Sequence, residues 1–313
     1  MNAYKIVIPE VGKVDIREIQ VGDPKPNELQ VKCLANGVCM LEVAQFAGWE
    51  PIWPSTGHEG IGVVTKVGAD VHGVEEGDCV ACELWASLSN MPAADCPRFS
   101  APPDDPSLYI VEPPSCVVLA APFYEIIPGD RVLVLGAGYM GLLNVQLLGR
   151  YPLAELIVSD VKGRNLKIAK SFGATEVINS ASDEGQARLQ ALKENPFDLV
   201  VETAGVEQTI QMAGSLTRLG GRIAAFAWHH KARTLDMGEW LVKGLKVLNT
   251  APNIAADYNT KRFERTIALL ERGVFDMRPL ITHRYAATEA QRAMEESTQR
   301  KGEFIKGVLI FED

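Results

Sequence analysis

Residues 131–160, RVLVLGAGYMGLLNVQLLGRYPLAELIVSD, decide the fold. Val132-Leu133-Val134-Leu135 is an apolar run, rich in β-branched residues and short enough to be a buried parallel strand. Gly136-Ala137-Gly138-Tyr139-Met140-Gly141 follows with G-x-G-x-x-G spacing, and Leu142, Val145, Leu147 and Leu148 then recur at helical intervals. Leu156-Ile157-Val158 reads as a second strand that ends at Ser159-Asp160. Gly136 permits a tight turn out of the strand, Gly138 lets backbone approach a pyrophosphate, and Gly141 lets the helix lie against the sheet. The helix N-terminus adds unpaired N–H groups and the positive end of a dipole. Asp160, about 20 residues past the glycines, is placed to accept both hydroxyls of an adenosine ribose. These features together predict dinucleotide binding. The carboxylate would repel a 2′-phosphate, which predicts NAD rather than NADP; Arg164, just beyond it, is the residue that leaves NADP open.

The texture around this stretch is that of an α/β, doubly wound parallel Rossmann sheet. Apolar strands recur at 176–178, 197–202, 221–226 and 245–248, with helical patterns at 162–172, 206–218 and 258–272 between or after them. We expect this dinucleotide-binding domain to span 119–282. Residues 1–118 read differently, as short strands separated by turns, at 4–8, 14–19, 29–34 and 61–67. Segment 86–106, rich in Pro, Ser and Asp, reads as an irregular surface loop. After a helix around 287–297, the strand at 305–310 is expected to rejoin this mostly β module, which makes it discontinuous (1–118 and 283–313).

A chain of 313 residues suits two domains rather than one core. Apolar content of 47% with 23% charged is that of a globular protein. The net charge of −9, with no basic run, argues against nucleic acid or an anionic membrane surface as partner. The opening MNAYKIVIPE lacks the pattern of a secretory signal, and no apolar run reaches bilayer-spanning length. The six cysteines (33, 39, 79, 82, 96, 116) are expected as reduced thiols, and a cytoplasmic location follows. There is no internal repeat and no low-complexity tract.

Two clusters in the β module carry chemistry. One is Gly37-Val38-Cys39-Met40-Leu41-Glu42; the other is Gly57-His58-Glu59-Gly60-Ile61-Gly62. A thiolate, an imidazole and a carboxylate are ligand types of a catalytic zinc with one position left open. Glu112, in VEPPSC, is a fourth candidate. Residue types alone leave open a buried thiol at Cys39 and a hydrogen-bonded turn at His58-Glu59. Cys79 and Cys82 form a C-x-x-C on a predicted strand, where alternation does not turn both thiols to one metal; they read as strand residues. Trp49 and Trp53, and Trp228-His229-His230 after the strand at 221–226, either line a substrate pocket or serve as packing and solvated loop.

The order of these parts resembles the medium-chain dehydrogenase/reductase family, in its zinc-dependent, polyol- and threonine-dehydrogenase-like branch. The residues that carry the resemblance are GVC at 37–39, GHEGIGVVTKVGADV at 57–71, EEGDCVA at 75–81, VEPPSC at 111–116, the fingerprint with Asp160, DLVVETAG at 198–205, GGRIAAFA at 220–227 and the closing GEFIKGVLIFED. It implies a GroES-like catalytic domain beside the Rossmann domain and one catalytic zinc held by Cys39, His58, Glu59 and Glu112. It also implies cofactor contacts from Gly136, Gly138, Tyr139, Met140, Gly141, Asp160, Arg164, Thr203, Ala204 and Gly205.

The chain departs from the family pattern at three places. Leu41 stands where a relay hydroxyl is usual, and Ala44 where many relatives have the relay's outer histidine. Glu42 keeps the acid of that motif and is expected to orient His58. The four-cysteine structural-zinc lobe is missing, with only Cys82 and Cys96 in the equivalent stretch. The implied activity is an NAD-dependent, zinc-dependent alcohol or polyol dehydrogenase, a homodimer or homotetramer, acting on a small secondary alcohol or ketone of polyol, cyclitol or sugar-like type. Zinc-bound water, Glu59 if it moves off the metal, and His229 or His230 are candidates for the displaced proton path. A zinc-free quinone- or enoyl-type reductase and a catalytically silent NAD-binding protein are the alternatives.

Overall fold

The computed structural model describes residues 2–54, 56–250 and 260–311. It divides into two compact units, one formed by 1–115 with 259–313, the other by 116–258.

The second unit is built on a six-stranded sheet in the order Lys246–Asn249, Thr217–Ala225, Phe197–Glu202, Arg131–Leu135, Glu155–Asp160, Glu176–Asn179. Every neighbouring pair is parallel. The order steps outward in both directions from Arg131–Leu135, which is the doubly wound arrangement with its reversal point at that strand's carboxyl end. The central strands carry apolar side chains on both faces because helices cover both: Val132, Leu133, Val134, Leu199, Val200 and Val201 are fully buried. The helices Gly163–Ser171 and Glu207–Leu216 lie within the ranges that periodicity predicts.

The first unit holds a hairpin, Asn2–Glu10 with Lys13–Gln20, and a second six-stranded sheet. That sheet runs Ile281–Ala286, Lys306–Ile310, Glu28–Gly37, Gly60–Val67, Cys79–Cys82, with Leu88–Pro92 also paired to Glu28–Gly37. The C-terminal strand does rejoin the N-terminal module: Leu309 pairs with Asn36 and Ile310 with Ala35. Its core gathers Leu29, Val31, Val43, Trp85, Tyr285, Met294 and Leu309.

Segment 86–106 is not an irregular surface loop. Residues 88–92 form a strand in register with 28–32, and Leu88, Met91, Cys96 and Phe99 are buried. Pairing to a strand of strong β character overrides the poor propensity of Ser89, Asn90 and Pro92. The helix expected over 258–272 is described as Thr260–Glu271; positions 258 and 259 lie outside the described residues. Among the described residues no helix is long and apolar enough to cross a membrane.

Candidate active site

Backbone pairing creates the first cluster. Asn36 is opposite Gly60 at the end of the antiparallel pair Glu28–Gly37/Gly60–Val67, and the Gly37 N–H donates to the Glu59 carbonyl at 3.0 Å. Cys39, just past one strand, therefore meets His58 and Glu59, just before the other. Their ligand atoms all lie within 4.8 Å of one another. Gly37 is required here: a Cβ at that position would stand 1.8 Å from Glu59 Oε2.

Two of the three donors are held from behind. Glu42, in the first turn of the helix Met40–Phe46, puts Oε1 3.0 Å from His58 Nδ1 and accepts the Gly57 N–H at 3.0 Å. This contact uses Nδ1 and leaves Nε2 for the cluster. Glu59 is buried and ion-paired with buried Lys306. Burial raises the Cys39 thiol, as does the Glu59 carboxylate, against the opposing effect of His58. Burial also raises the Glu59 carboxyl, with Lys306 opposing. At His58 burial alone would lower the imidazole, but Glu42 and Cys39 hold it well above its ordinary range.

The residues fit a zinc ion. One sulfur, one imidazole nitrogen and one carboxylate oxygen match its donor preferences, and a dication would favour the deprotonated thiol and carboxylate that burial otherwise disfavours. Donors on a tetrahedral zinc stand roughly 3.5 Å apart, a closure within reach of side-chain rotation. The structure does not bring Glu112 into this group; its Oε1 lies 3.8 Å from Nη2 of Arg262.

The helix Met40–Phe46 also carries the two positions that depart from the relay pattern. Leu41 is half-buried and Ala44 fully buried, and neither can move a proton. Cys79 and Cys82 lie on one strand, three residues apart and so on opposite faces. The Cys82 thiol is pushed well above its ordinary range by the Cys33 thiol and then by burial. Trp49 and Trp53 are about half exposed, with the Trp53 N–H donating to Gln45 Oε1 at 2.9 Å.

In the second unit the glycine turn has the geometry a dinucleotide needs. Gly136 has φ +101°, in the left-handed region. A Cβ on Gly141 would lie 2.1 Å from the Gly136 carbonyl oxygen, whereas one on Gly138 would meet nothing within 4 Å. The backbone at Gly138 is thus open where a phosphate would approach. Tyr139 and Met140 begin the helix Tyr139–Leu148. Asp160 accepts the Ala137 N–H at 2.6 Å and the Lys162 N–H at 2.7 Å. Arg164 is half-buried in the first turn of the next helix. Thr203 Oγ1 donates near the same turn, 2.8 Å from the Gly136 carbonyl oxygen.

Sequence reasoning missed Glu202. It is fully buried at the end of its strand and accepts from Ala204 N–H, Gly205 N–H and Thr209 Oγ1, so it shapes the Thr203-Ala204-Gly205 turn. Its other oxygen is 3.1 Å from His229 Nε2, and Arg233 Nε donates to His229 Nδ1 at 3.3 Å. Both ring nitrogens of His229 are engaged within the unit, Nδ1 by Arg233 and Nε2 by Glu202. His230 stacks obliquely on Trp228, ring centroids 4.0 Å apart. Lys306 and Arg262 were missed as well. For Lys306 the signal available was a lone basic residue in an otherwise apolar stretch, Ile305-Lys306-Gly307-Val308; Arg262, between Lys261 and Arg265, gave none.

Residues 25–101 match the family described as alcohol dehydrogenase GroES-like domain, and residues 140–272 match the zinc-binding dehydrogenase family. The chain is 28% identical to an uncharacterized zinc-type alcohol dehydrogenase-like protein, YdjJ, of Escherichia coli, over 100% of both chains. It is 26% identical to sorbitol dehydrogenase of Gallus gallus, over 97% of this chain and 95% of that one. A crystal structure of an oxidoreductase/dehydrogenase of unknown specificity from Escherichia coli superimposes with a TM-score of 0.88 at 26% identity, over the whole of both chains. The GroES-like module, the doubly wound nucleotide unit and these relatives agree: the chain is a dehydrogenase of the zinc-type medium-chain dehydrogenase family.

Proposed function

We propose that this enzyme transfers hydride between NAD and a secondary alcohol or ketone of a polyol, cyclitol or sugar-like substrate, with one zinc bound by Cys39, His58 and Glu59. The observation that carries this reading is the convergence of those three donor atoms within 4.8 Å. A zinc-free reductase has no use for a half-buried thiol and imidazole and a buried carboxylate so arranged. Zinc, when bound, supplies Lewis acidity to the substrate oxygen. The protein's contribution is orientation: Glu42 fixes the His58 ring, and Lys306 steadies Glu59.

NAD is favoured over NADP by Asp160, a carboxylate at the end of the second Rossmann strand and directly against the Ala137 N–H of the glycine turn. Proton movement follows another path than a hydroxyl relay, because Leu41 and Ala44 cannot carry it. Glu59 is the candidate to hold that proton when it moves off the metal, its carboxylate otherwise being tied to Lys306. The polyol-type substrate is supported by the sorbitol dehydrogenase relative.

Two measurements test the reading together. Protein purified without chelator should carry one zinc per chain, and NADH formation should appear with at least one member of a panel of polyols, cyclitols and sugar alcohols. Cys39→Ser should abolish both. Full turnover in Cys39→Ser, or zinc-free active protein, overturns the zinc-assisted reaction; faster turnover with NADP overturns the cofactor assignment.

A further inference from the structure

The loop after the strand Thr217–Ala225 is fastened at three points to the turn that follows the neighbouring strand, Phe197–Glu202. Oε2 of fully buried Glu202 lies 3.1 Å from His229 Nε2, Arg233 Nη2 donates to the Gly205 carbonyl oxygen at 2.7 Å, and the Thr234 N–H donates to Glu207 Oε2 at 3.1 Å. Arg233 Nε also donates to His229 Nδ1 at 3.3 Å. Arginine has no acceptor atom, so Nδ1 presents its lone pair there and the ring proton sits on Nε2, aimed at Glu202. A doubly protonated ring would set an N–H against the guanidinium, donor against donor. The other Glu202 oxygen accepts the Ala204 and Gly205 N–H groups, both at 2.9 Å. The turn so held rests on the glycine turn: Thr203 Oγ1 donates to the Gly136 carbonyl oxygen at 2.8 Å, and a Cβ on Gly136 would stand 2.9 Å from the Ala204 nitrogen. Both turns leave the carboxyl ends of adjacent parallel strands, the place where such sheets take a dinucleotide.

From this geometry we infer that His229 is a positioning residue for dinucleotide binding, a bridge of one tautomer that joins Arg233 to Glu202 and so holds the Thr203–Gly205 turn against the glycine turn. The inference rests on the dinucleotide reading above and is independent of zinc. With an apolar side chain at position 229, Glu202 Oε2 and Arg233 Nε each lose a hydrogen bond, and hydrogen bonds to charged groups are the stronger kind. Rotating the Glu202 carboxylate to find another partner would take Oε1 away from the Ala204 and Gly205 N–H groups, and the turn would loosen with it. An amide, like a neutral imidazole, offers one acceptor and one donor side. His229→Gln can therefore serve both partners, whereas His229→Leu serves neither.

The experiment titrates the full chain with NADH and with NADPH by fluorescence, and needs no substrate. In His229→Leu the dissociation constant of the tighter coenzyme should rise about 10-fold, the effect of one hydrogen bond to a charged group, and His229→Gln should return it close to the parent value. Arg233→Leu should weaken binding as well, and adding His229→Leu to it should weaken binding no further, because the two residues act through one chain of contacts. In nucleotide-free His229→Leu, hydrogen exchange should quicken at Ala204 and Gly205 and keep the parent rate along Arg131–Leu135. An unchanged dissociation constant in folded His229→Leu overturns the inference; if that variant does not fold, an unchanged constant in Arg233→Leu does the same. His229→Gln that binds as weakly as His229→Leu also overturns it, since the acceptor–donor pair is then not what matters. Exchange that quickens throughout the sheet overturns it by showing a general structural role. Parent protein that binds neither coenzyme overturns the dinucleotide reading itself and the inference with it.

Discussion

Oε1 of Glu42 stands 3.0 Å from Nδ1 of His58 and accepts the Gly57 N–H at the same distance. One carboxylate oxygen thus fixes both the imidazole ring and the turn that delivers it. Burial alone would raise the Glu42 carboxyl, but His58 and the Gly57 N–H outweigh it and keep the group ionised. A partner of this kind sets ring orientation and ligand basicity, and its loss typically weakens metal binding about 10–100-fold. Glu42→Gln should therefore raise the zinc dissociation constant by about that factor with little change in fold. Competition against a chelating dye, beside a circular dichroism spectrum, checks it; unchanged zinc affinity would show that Glu42 serves the turn alone.

Two glycines of one motif should fail in different ways. At Gly141 an added Cβ would meet the Gly136 carbonyl oxygen at 2.1 Å, a backbone atom in a tight turn that cannot yield cheaply. Gly141→Ala should cost about 1–3 kcal/mol of stability, in the range of other overpacking changes. At Gly138 the same methyl meets no protein atom within 4 Å. Gly138→Ala should leave the thermal midpoint almost unmoved and weaken dinucleotide binding, because the methyl occupies the space a phosphate needs. Thermal unfolding and NADH fluorescence titration on both variants separate the effects.

The nucleotide unit was legible because its information is local. Val132–Leu135 needs no distant partner to read as a buried strand, and the glycines and Asp160 sit at fixed offsets from it. The β module was legible only in part. Residues 88–92 read as loop because Ser89, Asn90 and Pro92 have low strand propensity, and only their pairing with 28–32 reverses that. The donor cluster was legible as residue types but not as geometry, since the meeting of Cys39 with His58 depends on the register between 28–37 and 60–67. The pairings of Lys306 and Arg262 were not legible: the carboxylates they face are remote in sequence, and a basic residue such as Lys306 in an apolar run looks the same whether it is buried or reaches solvent.

Acid sensitivity should have a component at Asp198. Burial alone would raise this carboxyl, but the Arg131 N–H, at 2.8 Å from Oδ2, and the Arg218 guanidinium hold it below its ordinary range. A carboxyl depressed in the folded state adds stability that is fully present above its unfolded pKa of about 3.9 and disappears as pH falls through the folded value. Asp198→Asn should thus be less stable than the parent by a constant margin from about pH 8 to about pH 5, with the margin closing below about pH 4. Urea unfolding of both proteins across that range measures it, and a margin that persists into acid would locate the effect in packing instead.

Cofactor choice turns on Asp160. Its two oxygens already order the glycine turn through Ala137 and Lys162, so the residue has a structural share and a recognition share. Asp160→Asn separates them: the amide retains an oxygen to accept one backbone N–H but carries no charge to repel a 2′-phosphate. Hydrogen bonds to charged groups contribute about 1.5–3 kcal/mol. Losing the charged contacts to the ribose should therefore weaken NAD roughly 10–100-fold, while NADP binding improves or holds. The ratio of the two dissociation constants is the quantity to measure, since damage to the turn would weaken both cofactors equally and leave the ratio unmoved. A ratio unchanged in Asp160→Asn, with both affinities intact, would place cofactor discrimination at another residue, with Arg164 the first to substitute.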